Sequence, residues 1–458
     1  MSQPDPLLLS SADLALATDL YQLTMAGAYH RRQGDGPPVQ ATFELWVRRL
    51  PRQRNFLVFA GLPQALAALA AVRFGAEQLA YLRSLPMFSR AGEDFFETLA
   101  SFRFRGDVRA MAEGTVFFPE TPAVSVTGSL LEAQLVETLL LSILNFQSLI
   151  ASKAARLRLA AGPEGRLAEF GSRRAHGPQA ALWAARAAYV GGVDATSNVL
   201  AGNREGIPVV GTMAHSYVMS FEREADAFRH YHRLYPEHSI LLVDTYDTLA
   251  GVRQALASGL PFQGIRLDSG DLGELARKAR RLLDEGGRPD AEIFASGDLD
   301  ERRIADLRAA GAPIDAWGVG TELSTSADAP ALSGVYKLVE STREGRRSMH
   351  YKASAGKRSY PGIKQVIRSE ADGRFLRDLV IPREAEGEYP EAQRLLRSVM
   401  AGGEILEHFP AEAARRHCLD QLGRLPLRLR ALEVSRGEPY PVVIDPVLER
   451  RLGEAVGP

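Results

Sequence analysis

The stretch of sequence that decides the fold runs from residue 166 to residue 321 and repeats one kind of unit. Each unit is a short apolar run that ends in a cluster of polar residues. The seven units are RLAEFGSRR (166–174), GGVDATSN (191–198), IPVVGTMAHS (207–216), ILLVDTYD (240–247), GIRLDSGD (264–271), AEIFASGD (291–298) and IDAWGVGT (314–321). Short apolar runs bounded by turn residues are typical of buried β-strands.

Helix-like segments fill the gaps between these runs. They are PQAALWAARAAYV (178–190), TLAGVRQALA (248–257), LGELARKARRLLDE (272–285) and DERRIADLRAA (300–310). Strands that alternate with helices over short connections form a parallel sheet. Seven such units within about 160 residues favour a (β/α) barrel, either complete or incomplete, over an open sheet. The predicted fold class is therefore α/β.

The flanking segments do not follow this pattern. Residues 1–131 mix helical segments with strand-like runs such as ATFELWV (41–47), which predicts an N-terminal α+β domain. We expect the barrel to occupy residues 132–336. Residues 337–458 predict hairpin strands, then a helix and irregular segments, and we expect this C-terminal segment to fold back on the first domain.

The composition narrows the class of protein. The 458 residues carry a formal net charge of -1, so no overall field draws the chain to nucleic acid or to a membrane. A single cysteine, Cys418, excludes an intrachain disulfide and a multi-cysteine metal site. The N-terminus has no basic segment of the kind that starts a signal peptide. The apolar stretch 135–151 contains Glu137, Asn145 and Gln147, which favours a buried helix over a membrane span. We expect a cytoplasmic enzyme without nucleic-acid or membrane partners.

The polar ends of the seven runs predict the functional site. In a parallel barrel the carboxyl ends of the strands open on one common mouth, and the active site lies there. The residues expected at this mouth are Arg173, Arg174, Asp194, Ser197, Thr212, His215, Asp244, Asp247, Arg266, Asp268, Ser269, Asp298, Gly318, Gly320 and Thr321. Any one of the aspartates could be only a helix cap, but seven polar ends together indicate a binding site.

The residue types at the mouth indicate anionic substrates. Arginine binds carboxylate or phosphate with two parallel hydrogen bonds. Carboxylates suit Mg²⁺ or ribose hydroxyls, and the glycine-containing turns SGD (296–298) and GVGT (318–321) suit a phosphate group. A lone histidine is more often structural, but the position of His215 beside arginine and aspartate favours a functional role. Four of the six lysines, Lys337, Lys352, Lys357 and Lys364, fall close together. They indicate either a solvated hairpin or contact with a polyphosphate.

Several of these segments resemble one enzyme family over nearly the whole chain. The matching motifs are TDLYQLTM (18–25), FELWVRRLP (43–51), EFGSRRAHGP (169–178), GGVDATSN (191–198), GTMAHSYVMSF (211–221), VDTYD (243–247), GIRLDSGDL (264–272), ASGDLDE (295–301) and WGVGTEL (317–323). They resemble the nicotinate phosphoribosyltransferases, which have the type II phosphoribosyltransferase fold. The motifs GTMAHS and RLDSGD are the most specific of them.

This resemblance implies substrates and roles for individual residues. His215 would be phosphorylated transiently by ATP, while Thr212 and Arg266 would line the nicotinate pocket. Tyr21, supplied by the neighbouring subunit of a homodimer, would stack on the pyridine ring, with Phe170 on the opposite face. The nicotinamide-using relatives carry an aspartate at the position of Ser197.

The remaining implied roles concern the second substrate, 5-phosphoribosyl 1-pyrophosphate. Its 5-phosphate would be held by residues of the two glycine-containing turns, which are Gly297, Gly318, Gly320 and Thr321. Arg48 and the lysine-rich segment with Lys352 and Lys357 would reach the pyrophosphate or ATP from the partner chain.

Reasoning from the residues adds further expectations to these roles. Asp268 and Asp298 are expected to contact ribose hydroxyls or the water shell of Mg²⁺, and Arg173 is expected to bind an anionic group. A carboxylate that holds one imidazole nitrogen makes the other a competent nucleophile, and Asp244 is the predicted carboxylate for His215. The expected reaction is ATP-coupled synthesis of nicotinate mononucleotide, the first step of NAD salvage from nicotinate, in the ligase class and with Mg²⁺ required.

Other functions fit parts of the sequence. A nicotinamide- or quinolinate-using phosphoribosyltransferase would share the barrel, and so would another phosphate-handling barrel enzyme. A Schiff-base aldolase needs a lysine at a strand end, and only Lys337 on a possible eighth strand could serve. An inactive scaffold would not need His215, Arg266 and Asp268 together.

Overall fold

The structure, a computed structural model, describes residues 10–34, 36–352, 354, 358–433 and 439–456. The helices are α1 (Leu20–Gln33), α2 (Leu62–Ala71), α3 (Ala76–Ser84), α4 (Glu93–Ala100), α5 (Leu130–Leu135), α6 (Glu137–Ala161), α7 (Pro178–Val190), α8 (Val199–Glu205), α9 (His215–Met219), α10 (Glu224–Leu234), α11 (Thr248–Ala257), α12 (Leu272–Glu285), α13 (Glu301–Ala309), α14 (Thr321–Ser324), α15 (Ala411–Arg424), α16 (Leu427–Arg430) and α17 (Pro446–Val456). The strands are β1 (Gln40–Val47), β2 (Leu57–Val58), β3 (Asp107–Ala110), β4 (Val116–Phe117), β5 (Val124–Ser129), β6 (Arg166–Glu169), β7 (Ala195–Thr196), β8 (Ile240–Leu242), β9 (Gly264–Leu267), β10 (Glu292–Ala295), β11 (Ala316–Val319), β12 (Gly334–Arg343), β13 (Arg346–Met349), β14 (Lys364–Ala371), β15 (Arg374–Pro382), β16 (Gln393–Arg394), β17 (Arg397–Ala401), β18 (Glu404–Ile405) and β19 (Val442–Ile444).

The repeated units form an incomplete barrel. Six parallel strands pair in the order β7-β6-β11-β10-β9-β8, and Val209 of the third unit forms a parallel bridge with Thr196 of β7. The seven units therefore follow one another round a ring in chain order, and the last strand, β11, pairs with the first, β6. Within the described residues, strand pairing is interrupted between the Val209 segment and β8. The predicted α/β barrel is confirmed in its incomplete form.

The helices between the strands also agree with the sequence. The four predicted helices are α7, α11, α12 and α13, and the first three have the predicted bounds. Their ends are set locally, because an aspartate caps α11, α12 and α13 by accepting a hydrogen bond from a backbone N–H of the first turn.

The second layer combines both ends of the chain. Its sheet has the order β13-β12-β1-β5-β3-β17-β18, with β12 antiparallel to β1 and β17 antiparallel to β3. The C-terminal segment thus returns to the N-terminal strands, as expected. A four-stranded sheet, β16-β14-β15-β19, carries the rest of that segment. The exact domain bounds 1–131, 132–336 and 337–458 stay a prediction.

Helix α6 joins the two layers. Its first half, including Leu140 and Ile143, lies in the core of the seven-stranded layer, and its second half, including Ile150 and Ala154, lies in the barrel core. By length and composition α6 could cross a membrane, but 72% of its most apolar window is buried inside the protein. A helix packed on all sides needs apolar residues all round, which explains its composition.

A buried ion pair also holds the layers together. The Arg186 guanidinium of α7 donates to both carboxylate oxygens of Glu113, over 2.9 and 2.7 Å. One oxygen of Glu113 also accepts the backbone N–H of Gly61 at the start of α2, over 2.6 Å. Each side chain of the pair is 2% exposed. Burial alone would lower the pKa of Arg186, but Glu113 outweighs it and the pKa is raised. The two-point contact between Arg186 and Glu113 therefore links the barrel to the N-terminal layer.

Candidate active site

Arg266 organises the mouth of the barrel. It belongs to β9, and its guanidinium donates from Nε to Ser296 Oγ over 2.7 Å, from Nη1 to Thr212 Oγ1 over 2.9 Å and from Nη2 to Asp268 Oδ1 over 2.7 Å. A guanidinium has five N–H groups, and these three bonds leave one on each terminal nitrogen for a ligand. Side chains that follow β9, β10 and the Val209 segment therefore hold Arg266 in a position to bind a planar anion.

Phe170 forms the wall beside this arginine. The Arg266 guanidinium lies over the Phe170 ring, 5.6 Å from its centre, a distance typical of a cation–π contact. Phe170 also stacks on Phe294, with ring centres 5.5 Å apart and planes at 17°. A Cβ at Gly318 would lie 2.8 Å from atoms of both rings, so the glycine makes room for the stack. The predicted pocket residues Thr212, Arg266 and Phe170 thus come together.

His215 lies next to this cluster. It is the first residue of α9, and its side chain is 38% exposed, so a substrate can reach it. Its Nδ1 lies 3.2 Å from Thr245 Oγ1, and its Nε2 lies 3.7 Å from Asp268 Oδ2. Burial alone would raise the pKa of Asp268, but Arg266, Ser296 and His215 outweigh it and the pKa is lowered. An ionised Asp268 therefore faces both His215 and Arg266.

Asp244 was predicted to hold the His215 imidazole, but its carboxylate bonds other residues. Asp244 Oδ2 accepts the backbone N–H of Asp268 over 2.9 Å and the hydroxyl of Ser269 over 2.6 Å. Asp244 follows β8, and Asp268 follows the paired strand β9, so this carboxylate clasps two adjacent strand ends. The carboxylate nearest His215 is that of Asp268, and Asp244 holds the backbone of Asp268 by accepting its N–H.

The two glycine-containing turns also open on the mouth. Gly297 has φ +89°, and a Cβ there would lie 1.9 Å from the Asp268 carbonyl oxygen, so only glycine allows the two turns to approach. Asp298 is exposed and has φ +46°. The backbone turns again at Gly320, after which Thr321 begins α14 and is exposed. Their phosphate-binding role stays a prediction.

Arg173 and Ser197 flank the Phe170 wall. Arg173 is exposed in the turn that follows Phe170. Ser197 follows β7, and its backbone N–H donates to the carbonyl oxygen of Glu169 over 2.9 Å. Both residues therefore lie at the carboxyl ends of neighbouring strands, as predicted, and their contacts with substrate stay a prediction.

Two aspartates expected at the mouth have other positions or tasks. Asp194 precedes β7, and its carboxylate accepts the N–H of Leu167 and pairs with Arg158, each over 2.8 Å. It therefore lies at the amino ends of the strands, away from the mouth. Asp247 caps α11 by accepting the N–H of Ala250 over 2.7 Å. The assignment of Asp194 to the mouth was therefore wrong, whereas Asp247 is a helix cap, one of the two roles that the sequence left open for it.

The residues predicted to act across a dimer lie in the N-terminal layer. Tyr21 is 50% exposed on α1, which packs on α5 and α4. Arg48 follows β1, and Lys352 is an exposed residue that pairs with Ser359 in a β-bridge. Lys357 lies outside the described residues. Tyr21 and Lys352 are thus exposed and Arg48 is half-buried, and their contact with a second chain stays a prediction.

Two lysines of the lysine-rich segment lie close to glutamates within the chain. Lys364 is buried and pairs with Glu44 over 2.9 Å, and it also donates to the carbonyl oxygens of Tyr360 and Gly362. Lys337 lies 3.8 Å from Glu137. The polyphosphate interpretation is therefore wrong for Lys364, because its charge is already neutralised in the sheet.

Sequence reasoning missed three residues that shape the mouth. Ser296 bonds both Arg266 and Asp268, Thr245 contacts His215, and Glu169 is a buried carboxyl beside Phe170. The repeat of Ser-Gly-Asp after β9 and β10 could have indicated Ser296. Thr245 and Glu169 leave no such signal, because a threonine and a glutamate at strand ends are common.

Comparison with known proteins agrees with this arrangement. Residues 16–145 match the nicotinate phosphoribosyltransferase N-terminal domain, and residues 150–329 match the quinolinate phosphoribosyl transferase C-terminal domain. A nicotinate phosphoribosyltransferase of Mycobacterium tuberculosis is 45% identical over 449 residues, which cover 96% of this chain and 93% of that protein. The chain belongs to the nicotinate phosphoribosyltransferase family.

Further members of the family support the same conclusion. The Bacillus subtilis nicotinate phosphoribosyltransferase is 47% identical over 365 residues, covering 78% of this chain and 73% of that protein. The crystal structure of human nicotinic acid phosphoribosyltransferase has a TM-score of 0.80 at 30% identity, covering 94% of this chain and 98% of that chain. The family likeness therefore extends over both layers.

Proposed function

We propose that this enzyme transfers the phosphoribosyl group of 5-phosphoribosyl 1-pyrophosphate to nicotinate and so forms nicotinate mononucleotide. The observation that carries the proposal is the Arg266 guanidinium. It is fixed by Ser296, Thr212 and Asp268 beside the Phe170 ring, with one N–H of each terminal nitrogen left over. A carboxylate on a flat ring fits this combination of fork and aromatic wall.

The alternatives differ in the charge that they bring to this fork. Nicotinamide has no carboxylate, and an amide pairs less strongly with a guanidinium. Quinolinate has two carboxylates, and its family model matches only the barrel portion, residues 150–329. The N-terminal domain match and the full-length relatives favour nicotinate.

Transfer of the phosphoribosyl group requires little covalent chemistry from the protein. The nitrogen of nicotinate attacks the anomeric carbon of the ribose, and the bond to pyrophosphate breaks. The substrate is expected as its Mg²⁺ complex, because Mg²⁺ neutralises the leaving pyrophosphate. Within the described residues, no group of three or more His, Cys, Asp or Glu side chains is placed so that it could hold a metal ion. Arg266 and Phe170 then orient the ring for attack.

ATP is expected to act through His215. An imidazole nitrogen can displace ADP from the terminal phosphate of ATP, which gives phosphohistidine, and water later releases inorganic phosphate. Nε2 of His215 faces Asp268, and Nδ1 faces Thr245. We infer that Asp268 holds the imidazole during phosphorylation, in place of the expected Asp244. Phosphorylation would add about two negative charges beside Arg266 and so change how the mouth binds its substrates.

The shared-site homodimer and the cytoplasmic location belong to this proposal. Tyr21 and Arg48 lie on the N-terminal layer, and the exposure of Tyr21 leaves it free to reach a partner's barrel. A mixture of Tyr21→Ala and His215→Ala chains should then regain part of the activity through hybrid sites. A fully active monomer in dilute solution would disprove shared sites.

One set of assays tests the proposed activity. The purified chain is given nicotinate, nicotinamide or quinolinate with phosphoribosyl pyrophosphate and Mg²⁺, with and without ATP, and each mononucleotide is quantified. We expect nicotinate to be preferred, ATP to stimulate the reaction and excess chelator to stop it. His215→Ala should lose nicotinate-stimulated ATP hydrolysis but keep slow synthesis without ATP. Equal use of nicotinate and nicotinamide would overturn the substrate assignment, and ATP coupling in His215→Ala would overturn the histidine assignment.

A further inference from the structure

Glu169 is a buried carboxyl group that the transfer chemistry does not use. It is the last residue of β6 and is 1% exposed. The Thr196 hydroxyl of β7 donates to Oε2 over 2.6 Å, and the backbone N–H of Gly171 donates to Oε1. Both oxygens are therefore bonded, one to a neighbouring strand and one to the turn that follows β6.

These two bonds connect the walls of the predicted pyridine pocket. The turn after β6 carries Phe170 and Arg173, and the end of β7 carries Ser197. The Ser197 N–H already donates to the Glu169 carbonyl oxygen over 2.9 Å. The side-chain bond from Thr196 adds a second link between the same two strand ends.

A third element closes the turn from the other side. A Cβ at Gly171 would lie 2.3 Å from Ser324 Cβ of α14 and 2.9 Å from Glu169 Oε1. The peptide of Gly171 is thus confined between the carboxyl group and the helix that begins at Thr321. The Phe170 N–H also donates to the Val319 carbonyl oxygen over 2.8 Å. The position of the Phe170 ring therefore depends on how Gly171 is held.

The hydrogen bonds of the Glu169 carboxyl group can be kept or removed by substitution. Burial raises the pKa of Glu169, although the Thr196 hydroxyl and the Gly171 N–H act in the opposite direction. A side-chain amide has the same shape, so glutamine can still accept from Gly171 and donate to Thr196 Oγ1. Alanine can do neither, and it leaves the Gly171 N–H without an acceptor in a buried place.

We propose that Glu169 is the positioning residue of the pyridine pocket, since it locks the turn with Phe170 to the end of β7 with Ser197. The proposal rests on the proposed function for the identity of the pyridine, but the locking itself does not depend on the substrate. Loss of the lock should move the aromatic wall and weaken pyridine binding. The phosphoribosyl pyrophosphate site on the other turns should change less.

The test compares Glu169→Ala, Glu169→Gln and Thr196→Val with the parent chain. Steady-state rates give KM for the pyridine that the parent uses, KM for phosphoribosyl pyrophosphate, and kcat. Hydrogen exchange of the free protein reports on the backbone amides of residues 170–174 and 196–198. Asp378→Asn serves as control, because Asp378 is also a buried carboxyl group but lies in the four-stranded sheet.

When a group that positions the substrate is displaced by about 1 Å, the efficiency of the reaction can fall by up to about a hundredfold. We therefore expect Glu169→Ala to raise the pyridine KM by about tenfold. The KM for phosphoribosyl pyrophosphate should stay within about twofold, and Glu169→Gln should restore both values. Thr196→Val should raise the pyridine KM in the same direction, which keeps the test decisive if Glu169→Ala does not fold. Faster exchange at 170–174 should accompany the change in KM, and Asp378→Asn should show neither effect.

Other results would overturn the positioning role. They are an unchanged pyridine KM in both Glu169→Ala and Thr196→Val, an equal rise of both KM values, or failure of Glu169→Gln to restore binding. A parent chain that prefers nicotinamide or quinolinate would instead contradict the proposed function. The exchange data and the KM for that other pyridine would then still decide the role of Glu169.

Discussion

Replacement of Arg266 by alanine is the most direct test of how the pocket selects its substrate. The side chain is 14% exposed, and it holds Ser296, Thr212 and Asp268 by three hydrogen bonds. The variant removes the two N–H groups that remain for a substrate carboxylate. It also leaves Asp268 without its strongest partner, which should let the pKa of that carboxyl rise toward its ordinary range.

The size of the effect follows from the kind of bond that is lost. A hydrogen bond to a charged group contributes about 1.5–3 kcal/mol, and about 1.4 kcal/mol corresponds to a factor of ten. Loss of the nicotinate carboxylate contact should therefore weaken binding by roughly 10- to 150-fold. Nicotinamide carries no charge for the fork to recognise, so its KM should change much less. The ratio of kcat/KM for nicotinate to kcat/KM for nicotinamide should therefore fall by nearly the same factor as nicotinate binding.

The assay measures kcat/KM for nicotinate and nicotinamide in parallel, with melting curves to show that the variants fold. Arg266→Lys keeps the positive charge but loses the planar fork, so it should fall between the parent and Arg266→Ala. Arg281→Ala is the matched control, because Arg281 is an exposed arginine of α12. If Arg266→Ala kept the parent's ratio of nicotinate to nicotinamide use, the recognition of nicotinate through this guanidinium would be wrong.

The remaining predictions concern two buried charged residues and one glycine turn. Burial first, and then Asp244 and Asp247, raise the pKa of Glu224 from 4.5 to about 7. The contribution of Glu224 to the stability of the fold is therefore fully present below pH 4.5, where the carboxyl is neutral, and is lost as the pH rises through 7. Glu224→Gln should therefore raise the melting temperature at pH 8 more than at pH 5, and an equal change at both values, or the same pattern in the exposed Glu222→Gln, would contradict this. Gly297→Ala should lower kcat/KM for phosphoribosyl pyrophosphate by about tenfold or more, because its Cβ would collide with the Asp268 carbonyl, and full activity would show that the turn is not fixed. Arg186→Met should lower the free energy of unfolding by about 3–5 kcal/mol in urea titrations, since it leaves a buried carboxylate unpaired, and a loss below about 1 kcal/mol would show that the ion pair does not hold the layers together.

Much of the fold is set by local signals that the sequence displays. The apolar runs have the length of strands. Pro178 marks where α7 begins, and capping aspartates mark where α11 and α12 begin, so these helices have the predicted bounds. Parallel strands separated by helices put their carboxyl ends at one mouth, and this rule alone predicts that Arg266, Thr212 and His215 lie together. These features depend on neighbours within a few residues of each other, and a single sequence contains that information.

The choice of hydrogen-bond partner was decided only by the tertiary structure. Asp244 and Asp268 follow the neighbouring strands β8 and β9, but Asp268 faces the His215 imidazole while Asp244 bonds the backbone N–H of Asp268. Likewise, Asp194 lies at the amino ends of the strands, because β7 (Ala195–Thr196) follows Asp194 along the chain, whereas the sequence pattern placed Asp194 at the polar end of the run. A shift of one residue in strand register turns each side chain to the other face of the sheet. Such contacts join residues far apart in the chain, so they depend on the register and twist of paired strands, which periodicity does not specify.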